Sequence, residues 1–364
     1  MIVEGAILDI DGIRPAYVRF RHGRVVEIGA IGTDGGRGRE RRLHGIVVPP
    51  PVNAHTHLGD AVSVREPPRG SVSTLVRPPD GYKFRLLADS TAMEKRRAMR
   101  RALYRMVREG LAGAIDFREE GRAGVELLRA AAQDLPLRLF VFGRPVRRPL
   151  DPTELREVLD LADGIGLSSA QDETPETRRA VARACRAKGK RYALHASEAR
   201  REDPQEFLDP VPDLLVHLAR ATATDLETVR DAGVPVAVCP RSNALFGRQP
   251  DLARMERLGL TVLLGTDNAM FHAPSIWREL EFAYVGSRLR HRPVSADFLA
   301  RAALVEPWRW LGAPEAARVD PDAPFPPLVL RLPPEDPAYQ VVTRTTEHLM
   351  VRGRPPGRRG GRAR

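Results

Sequence analysis

The sequence has only two cysteines, Cys185 and Cys239, among 364 residues. This scarcity excludes a disulfide framework and any Cys-x-x-Cys metal knuckle. The sequence also lacks an apolar run of the length that a membrane helix requires. Residues 1–11 place acidic side chains inside an apolar pattern, which is typical of neither a signal peptide nor a transit peptide. We therefore expect a cytoplasmic protein that does not associate with membranes.

The excess of basic residues is partly local. The net charge is +11, and residues 352–364 contain six arginines and no acid, so the charge without those arginines is +5. This composition predicts a basic, disordered tail. Such a tail attracts polyanions in a salt-dependent way. The sequence has neither an RNA-binding aromatic motif nor zinc-finger spacing, and we expect no specific nucleic-acid partner.

Strands and helices alternate along most of the chain. Three short strand-like runs come first, at Ala6–Ile10, Ala16–Phe20 and Arg24–Ile28. Eight further runs follow, at Gly45–Pro50, Ala112–Phe117, Leu137–Phe142, Gly164–Leu167, Arg191–His195, Leu214–His217, Val234–Cys239 and Thr261–Gly265. The segments between them carry helix-start signals, either capping-box spacing or proline at the first helical position, at Thr91, Asp151, Thr174 and Thr224.

Eightfold alternation predicts an α/β fold of the (β/α)8 TIM-barrel type. No Gly-x-Gly-x-x-Gly follows the first strand, which argues against a dinucleotide-binding fold. Two more strands are predicted over Ala338–Arg344 and His348–Val351, where they would pair with the N-terminal strands. The predicted division is residues 1–48 as the N-terminal part of a β-sandwich, 49–312 as the barrel, 313–351 as the C-terminal part of the sandwich and 352–364 as the basic tail.

Histidines and one aspartate stand at the ends of the predicted barrel strands. His55 and His57 are two residues apart in an extended segment, so their side chains point to the same side. His195 and His217 end strands 5 and 6, and Asp267 follows strand 8. Catalytic residues of such barrels lie at the carboxyl ends of strands. His55, His57, His195 and Asp267 form a set of three nitrogens and one oxygen that suits zinc or a similar divalent ion.

Other polar residues follow the same strand ends. Glu198 lies three residues beyond His195, where a carboxyl group could move protons. The long segment 59–90 is expected to cover the barrel mouth. Candidate substrate contacts are Arg118, Glu119, Arg144, Arg241, Asn243 and His272. Several arginines at one rim are compatible with a substrate that carries a phosphate or carboxylate.

Taken together, these motifs resemble those of the amidohydrolase superfamily, over about residues 2–311. The matching segments are residues 51–57, His195-x-x-Glu198, His217, residues 239–243 and residues 264–268. The resemblance implies a metal-dependent hydrolase on a TIM barrel with a sandwich from both chain ends. Strand 4 and its flanks, residues 163–170, lack the lysine that bridges two metals in binuclear members. The spacing of His195 and Glu198 and the Cys-Pro-x-Ser-Asn run at residues 239–243 resemble those of the mononuclear branch, which deaminates adenosine-like, cytosine-like or aminofutalosine-like rings.

The resemblance also implies roles. His55, His57, His195 and Asp267 would hold one divalent ion, with zinc favoured over iron or manganese. Glu198 would protonate a ring nitrogen, His217 would orient a metal-bound hydroxide, and Asp267 would accept a proton from the water. The expected reaction is hydrolytic deamination of a small-molecule substrate, an aromatic N-heterocycle or nucleoside.

Several alternatives stay open. The same metal site could hydrolyse a cyclic amide or a ring C–Cl or C–S bond, and His217 could bind a second ion. A polyanion-binding protein with a vestigial barrel is the alternative from another class. The degenerate segment from Arg318 to Leu332 leaves open a reduced sandwich, and the oligomeric state, including a homo-oligomer, is undetermined by the sequence.

Overall fold

A computed structural model describes residues 1–33, 40–63, 69–345 and 350–351. The predicted basic tail, 352–364, lies outside the described residues. The chain forms a six-stranded sheet from both of its ends and a nine-stranded parallel sheet that is covered by helices. This arrangement confirms the predicted α/β barrel with an additional sheet from the terminal segments.

The terminal sheet has the strand order β15-β14-β4-β1-β2-β3. Its strands are β1 Ile2–Asp9, β2 Gly12–Arg21, β3 Arg24–Gly29, β4 Arg42–Val48, β14 Leu328–Leu330 and β15 Met350–Val351. The three predicted N-terminal strands correspond to β1, β2 and β3. One face of the sheet buries a small apolar cluster that includes Val3, Ile7, Val18, Val47 and Val329. Because Val329 comes from the C-terminal segment, the sheet needs both ends of the chain.

The barrel sheet runs in chain order from β5 to β12, and the short strand β13 returns to the far edge. Its strands are β5 Val52–His57, β6 Gly113–Arg118, β7 Arg138–Gly143, β8 Gly164–Leu167, β9 Arg191–Ala196, β10 Leu214–His217, β11 Val236–Val238, β12 Val262–Leu264 and β13 Asp267–Asn268. Strand β13 pairs with β5 in parallel, with Asp267 opposite Thr56. This pairing joins the last barrel strand to the first.

Buried hydrogen bonds reinforce that closure. The Asn53 amide donates to the Thr266 hydroxyl at 2.8 Å, and the Thr266 backbone N–H lies 3.1 Å from the Asn53 side-chain oxygen. The Thr266 N–H also donates to the carbonyl of His55 at 2.9 Å. Buried polar groups need such partners, so this contact holds the first and last strands together beside the histidines.

The helices pack mainly around the barrel sheet. They are α1 Val72–Leu75, α2 Tyr82–Asp89, α3 Ala92–Arg108, α4 Gly121–Ala132, α5 Pro152–Leu161, α6 Pro175–Ala187, α7 Pro204–Phe207, α8 Ala223–Asp231, α9 Pro240–Leu245, α10 Leu252–Arg257, α11 Ile276–Leu289, α12 Ala296–Leu304, α13 Glu306–Trp310 and α14 Pro337–Arg344. Among the described residues, no helix combines the length and apolar character needed to cross a membrane.

Local sequence signals locate several helix starts correctly. Thr91 caps α3 in a capping box with Glu94, and Thr174 caps α6 with proline at the first helical position. The prediction at Thr224 is two residues late, because Thr222 is the N-cap of α8 and forms its capping box with Asp225.

Two predicted strands are placed differently by the structure. The run Gly45–Pro50 overlaps β4 of the terminal sheet, and the first barrel strand is β5, whose six residues are all buried although four of them are polar. Ala338–Arg344 is helical and lies within α14. Its buried residues Ala338, Val341 and Val342 have helical spacing, so packing against other helices overrides the strand preference of valine and threonine.

Candidate metal centre

The two histidines of β5 lie together at the floor of the barrel mouth. His55 is completely buried and His57 is 3% exposed, with ring centroids 4.9 Å apart. Neither ring nitrogen of His55 has a hydrogen-bond partner among the described residues. Burial lowers the pKa of His55 to about 3. The ring is therefore neutral at pH 7, which is the form that binds metals.

His57 and His195 each have one ring nitrogen fixed by the protein. Nδ1 of His57 lies 2.7 Å from the Glu119 carboxylate and 3.0 Å from the carbonyl of Phe117. Nδ1 of His195 lies 2.8 Å from the carbonyl of Leu167. A carbonyl only accepts, so Nδ1 carries the proton in both rings and Nε2 has its lone pair free. This is the orientation that neighbouring residues impose on metal-binding histidines.

Asp267 brings a carboxylate to the same point from β13, the strand that pairs with β5. Its Oδ1 lies 3.4 Å from Nε2 of His55 and 3.6 Å from Nε2 of His57. The Ser242 hydroxyl donates to the other oxygen, Oδ2, at 2.5 Å. Burial raises the pKa of the Asp267 carboxyl, but His55 and the other nearby histidines outweigh burial and hold it well below its ordinary value. Asp267 is therefore an ionised carboxylate.

His217 and Glu198 face each other beside this cluster. Nε2 of His217 is 3.7 Å from the Glu198 carboxyl, and the Asn243 amide nitrogen lies 3.2 Å from Nδ1 on the other side of the ring. An amide N–H that donates to Nδ1 leaves the ring proton on Nε2, directed toward the site. Burial raises the pKa of Glu198. The pair thus offers a ring N–H and a carboxyl group that holds its proton more readily than usual.

The backbone at these strand ends is strained. His217 has φ +77° and Asp267 has φ +64°, which lie in the left-handed region that side chains other than glycine rarely adopt. Such conformations cost about 1–3 kcal/mol each and persist where the surroundings enforce them. Their occurrence at two of the residues predicted to carry the chemistry fits a functional site rather than an ordinary turn.

The structure brings the predicted site residues together. Ligand atoms of three groups, His55/His195/His217, His55/His57/Asp267 and Glu198/His217/Asp267, lie within 4.8 Å of one another in each group. The donor types and the unpartnered nitrogens of His55 fit a divalent ion. His217 is also close enough to bind one. Strand β8 supplies the Leu167 carbonyl to His195 and no side-chain ligand, in keeping with the predicted lack of a bridging lysine.

A network of buried charged side chains contacts His57 through Glu119. Glu119 accepts from Lys83 Nζ at 2.7 Å and also contacts the Arg118 guanidinium. Arg118 in turn lies 3.5 Å from the Asp116 carboxylate. Burial raises the pKa of Glu119, but Lys83 and the other cations, together with the bond to His57, hold it well below its ordinary value. The sequence placed Lys83 in the segment covering the mouth but gave no signal that it enters the site.

A cavity of about 280 Å³ opens over the cluster. Its walls include His57, His195, Glu198, His217 and Asp267. The covering segment contributes residues of α1 and α2 and the turn between them, as expected from its length. The cavity therefore gives a small molecule access to the ligand cluster and to the Glu198 carboxyl at once.

The six candidate substrate contacts are distributed unequally. Arg144 lines the cavity, whereas the other five are not among its lining residues. Arg118 and Glu119 belong to the buried network, and Asn243 contacts His217. Arg241 lies 3.4 Å from the Glu279 carboxylate. His272 is largely buried, and both of its ring nitrogens lack hydrogen-bond partners among the described residues.

The chain is similar in sequence to known proteins. The model of the amidohydrolase family matches residues 46–305. A protein of Methanothermobacter thermautotrophicus that bears the name aminohydrolase is 37% identical over 256 residues, which are 65% of this chain and 67% of the relative.

Solved structures agree in fold. A zinc-bound adenosine deaminase from Xanthomonas campestris superposes with a TM-score of 0.73 at 15% identity, covering 94% of this chain and 88% of that one. A zinc-bound atrazine chlorohydrolase from Arthrobacter aurescens TC1 gives a TM-score of 0.73 at 16% identity, covering 98% and 96%. At these identities the likeness concerns the fold.

Proposed function

The chain belongs to the amidohydrolase family, and from this premise we propose that it is a one-metal hydrolase that deaminates an aromatic N-heterocycle or nucleoside. One observation carries the proposal. The carboxyl of Glu198 lines the same cavity as the His/Asp cluster and lies 3.7 Å from His217. Burial raises the pKa of this carboxyl. Deamination of a ring needs a group that gives a proton to the ring, and Glu198 stands where it can do so.

Four residues are suited to hold the metal. His55, His57 and His195 supply neutral imidazoles, and Asp267 supplies an ionised carboxylate. This set is suited to zinc, with iron and manganese as alternatives. When bound, the ion supplies a Lewis acid that makes a water molecule a nucleophile near neutral pH. The zinc named with both solved structures supports this choice of metal.

The protein's own groups account for the proton transfers. Asp267 accepts a proton as water adds to the ring carbon that bears the amino group. Glu198 gives its proton to the adjacent ring nitrogen, and the His217 N–H donates a hydrogen bond to the added oxygen. The C–N bond then breaks, and the amino group takes up the proton held by Asp267 and leaves as ammonia. The added hydroxyl gives its proton to Glu198, which restores the carboxyl, and becomes the ring carbonyl. The products are the ring carbonyl compound and ammonia, so all atoms of water and substrate are accounted for.

A second reaction at the same site is the displacement of another ring substituent. The likeness to an atrazine chlorohydrolase favours ring C–Cl cleavage as this alternative, and hydrolysis of a ring C–S bond or a cyclic amide belongs to the same class. The hydrolytic steps are alike, but the leaving group differs. Product analysis therefore separates these reactions, whereas inspection of the ligand cluster does not.

The test combines metal content with product release. We expect about one equivalent of divalent metal after purification, and ammonia from at least one member of a panel of purines, pyrimidines, pterins and nucleosides. Atrazine with chloride detection, and a cyclic amide with detection of ring opening, test the alternatives. Metal near one equivalent with release of chloride alone would replace deamination by dehalogenation. Metal near zero and no turnover would favour a polyanion-binding protein.

A further inference from the structure

We propose that Arg144 forms an oxyanion subsite in the cavity, so that the natural substrate is a small heterocycle bearing a carboxylate or phosphate. The substrate assignment rests on the proposed function, because it assumes that the heterocycle is the reacting part. The anion subsite itself rests on the position and bonding of Arg144.

The guanidinium of Arg144 is buried and has hydrogen-bond donors that no protein group uses. It follows β7, is 8% exposed and lines the cavity. Its Nε donates to the carbonyl of Gly166 at 3.2 Å, and its backbone N–H donates to the carbonyl of Arg118 at 3.0 Å. In the described part of the chain, neither terminal nitrogen of Arg144 forms a hydrogen bond or an ion pair. The backbone and Nε thus fix the group, while its terminal N–H groups lack protein partners.

Nearby acidic groups are already paired with other cations. Glu173 accepts from Arg148 at 2.5 Å, and Asp172 accepts from Arg77 at 2.6 Å. Glu119 is held by Lys83 and Arg118, as described above. A buried charge is costly unless it is paired. The unpaired charge of Arg144 is therefore best explained by a ligand that supplies the missing anion.

The other arginine candidates do not share this property. Arg118 has the carboxylates of Asp116 and Glu119 as neighbours, and Arg241 has Glu279. Of the arginines predicted from the strand ends, Arg144 alone combines a place on the cavity wall with unused donors. A guanidinium fork matches the oxygens of carboxylate and phosphate, which identifies the class of group that it would bind.

The cavity limits the size of the substrate. Ser168 and Ser169, which follow β8, line the same cavity as Arg144 and the metal-ligand candidates and add hydroxyl groups to its lining. A volume of about 280 Å³ lies just below the usual range for small-molecule sites, which is about 300–1,000 Å³. We therefore expect the anion on the reacting ring or on a substituent attached directly to it, such as the ribose of a nucleotide.

Matched substrate pairs provide the first test. The pairs are cytosine with cytosine-5-carboxylate, pterin with pterin-6-carboxylate, and adenosine with adenosine 5′-monophosphate, assayed on the metal-loaded protein. For the ring that is deaminated, we expect the anionic member to have a kcat/KM about 10- to 100-fold higher. The carboxylate and phosphate pairs show which oxyanion is preferred.

Three variants assign this preference to Arg144. R144Q should bring the ratio between pair members close to 1, and R144K should retain part of it, because the charge remains but the fork is lost. R147Q is the control, since Arg147 lies three residues from Arg144 along the chain, is exposed and pairs with Asp151. A preference for the neutral member in wild type, or an unchanged ratio in R144Q and R144K, would overturn the subsite.

A binding measurement separates this inference from the proposed function. Calorimetric titration with inorganic phosphate and with benzoate needs no turnover. Binding that is weakened in R144Q but not in R147Q would support the subsite even if no ring released ammonia, and the deaminase proposal would then fail alone. If ammonia is released but neither anion binding nor the preference for anionic substrates depends on Arg144, the deaminase proposal stands and the anion subsite is rejected.

Discussion

Nδ1 of His57 lies 2.7 Å from Oε1 of Glu119. The carboxylate that fixes this ring also holds Lys83 and contacts Arg118, so a single acidic group links a metal-ligand candidate to two buried cations. Its effect on metal binding can be measured separately from catalysis.

Replacement of Glu119 by glutamine should weaken metal binding. The amide keeps the shape but loses the charge that makes His57 a better ligand, and we expect the affinity to fall about 10- to 100-fold. Competition with a chromophoric chelator measures the change. E126Q is the control, because Glu126 is exposed and contacts Arg122. Equal affinities of E119Q and wild type would show that the contact does not support the ligand.

Removal of the His55 ring should abolish stoichiometric metal binding. H55A deletes a completely buried ligand with no hydrogen-bond partners among the described residues. H272A is a matched control, since His272 also has two unpartnered nitrogens but lies outside the cavity lining and is not expected to bind the ion. Elemental analysis should give near zero for H55A and about one equivalent for H272A. The reverse pattern would place the metal elsewhere.

Glu198 should be needed for turnover and not for metal. E198Q keeps the size of the side chain but removes the transferable proton, so we expect kcat to fall about 10²- to 10⁴-fold with the metal content unchanged. Ammonia release and elemental analysis on the same sample give both values. Full activity of E198Q would reject its role in proton transfer.

The carboxyl of Glu202 should make stability fall as pH rises. Burial raises its pKa from 4.5 to about 7, so between these values the folded protein holds a proton that the unfolded chain releases. The free energy of unfolding that is linked to this group is largest at low pH and is lost as the pH rises toward 7. At higher pH the unfolded chain ionises freely, whereas the folded protein must keep the proton or bury a charged carboxylate.

We expect E202Q to remove that loss. Relative to E202Q, wild type should lose about 2–3 kcal/mol of unfolding free energy between pH 5 and pH 8. Urea denaturation at the two pH values measures this difference, and E206Q serves as a control because Glu206 is exposed. Parallel pH profiles of wild type and E202Q would contradict the raised pKa.

The sequence contained enough to predict the barrel and the clustering of His55, His57, His195 and Asp267. Apolar runs followed by His195, His217 and Asp267 predict strand ends, and the carboxyl ends of parallel strands meet at one edge. The same reasoning placed the first barrel strand too early, because β5 is buried yet rich in polar residues. A hydrophobicity pattern does not distinguish a polar strand that binds a ligand from a connecting loop.

Contacts between distant segments were beyond the sequence. Lys83 and Arg144 are two among many basic residues, and only the fold shows that one is paired in the buried network and the other is not. Tyr339 to Thr343 have strand-forming residues, but Pro337 begins a helix whose apolar spacing suits its neighbours. Both cases depend on which surfaces meet in the folded chain, and local preference does not contain that information.

The pairing of β13 with β5 also sets the order of events when the protein is made. His55 leaves the ribosome long before Asp267, and the two can meet only after the last barrel strand has been synthesised and docked. A divalent ion held as proposed by His55, His57, His195 and Asp267 would therefore be inserted late in maturation, and by binding both strands it would resist reopening of the barrel. A chain interrupted before β13 would contain three of the four proposed ligands but would lack the β13–β5 pairing that holds them in place.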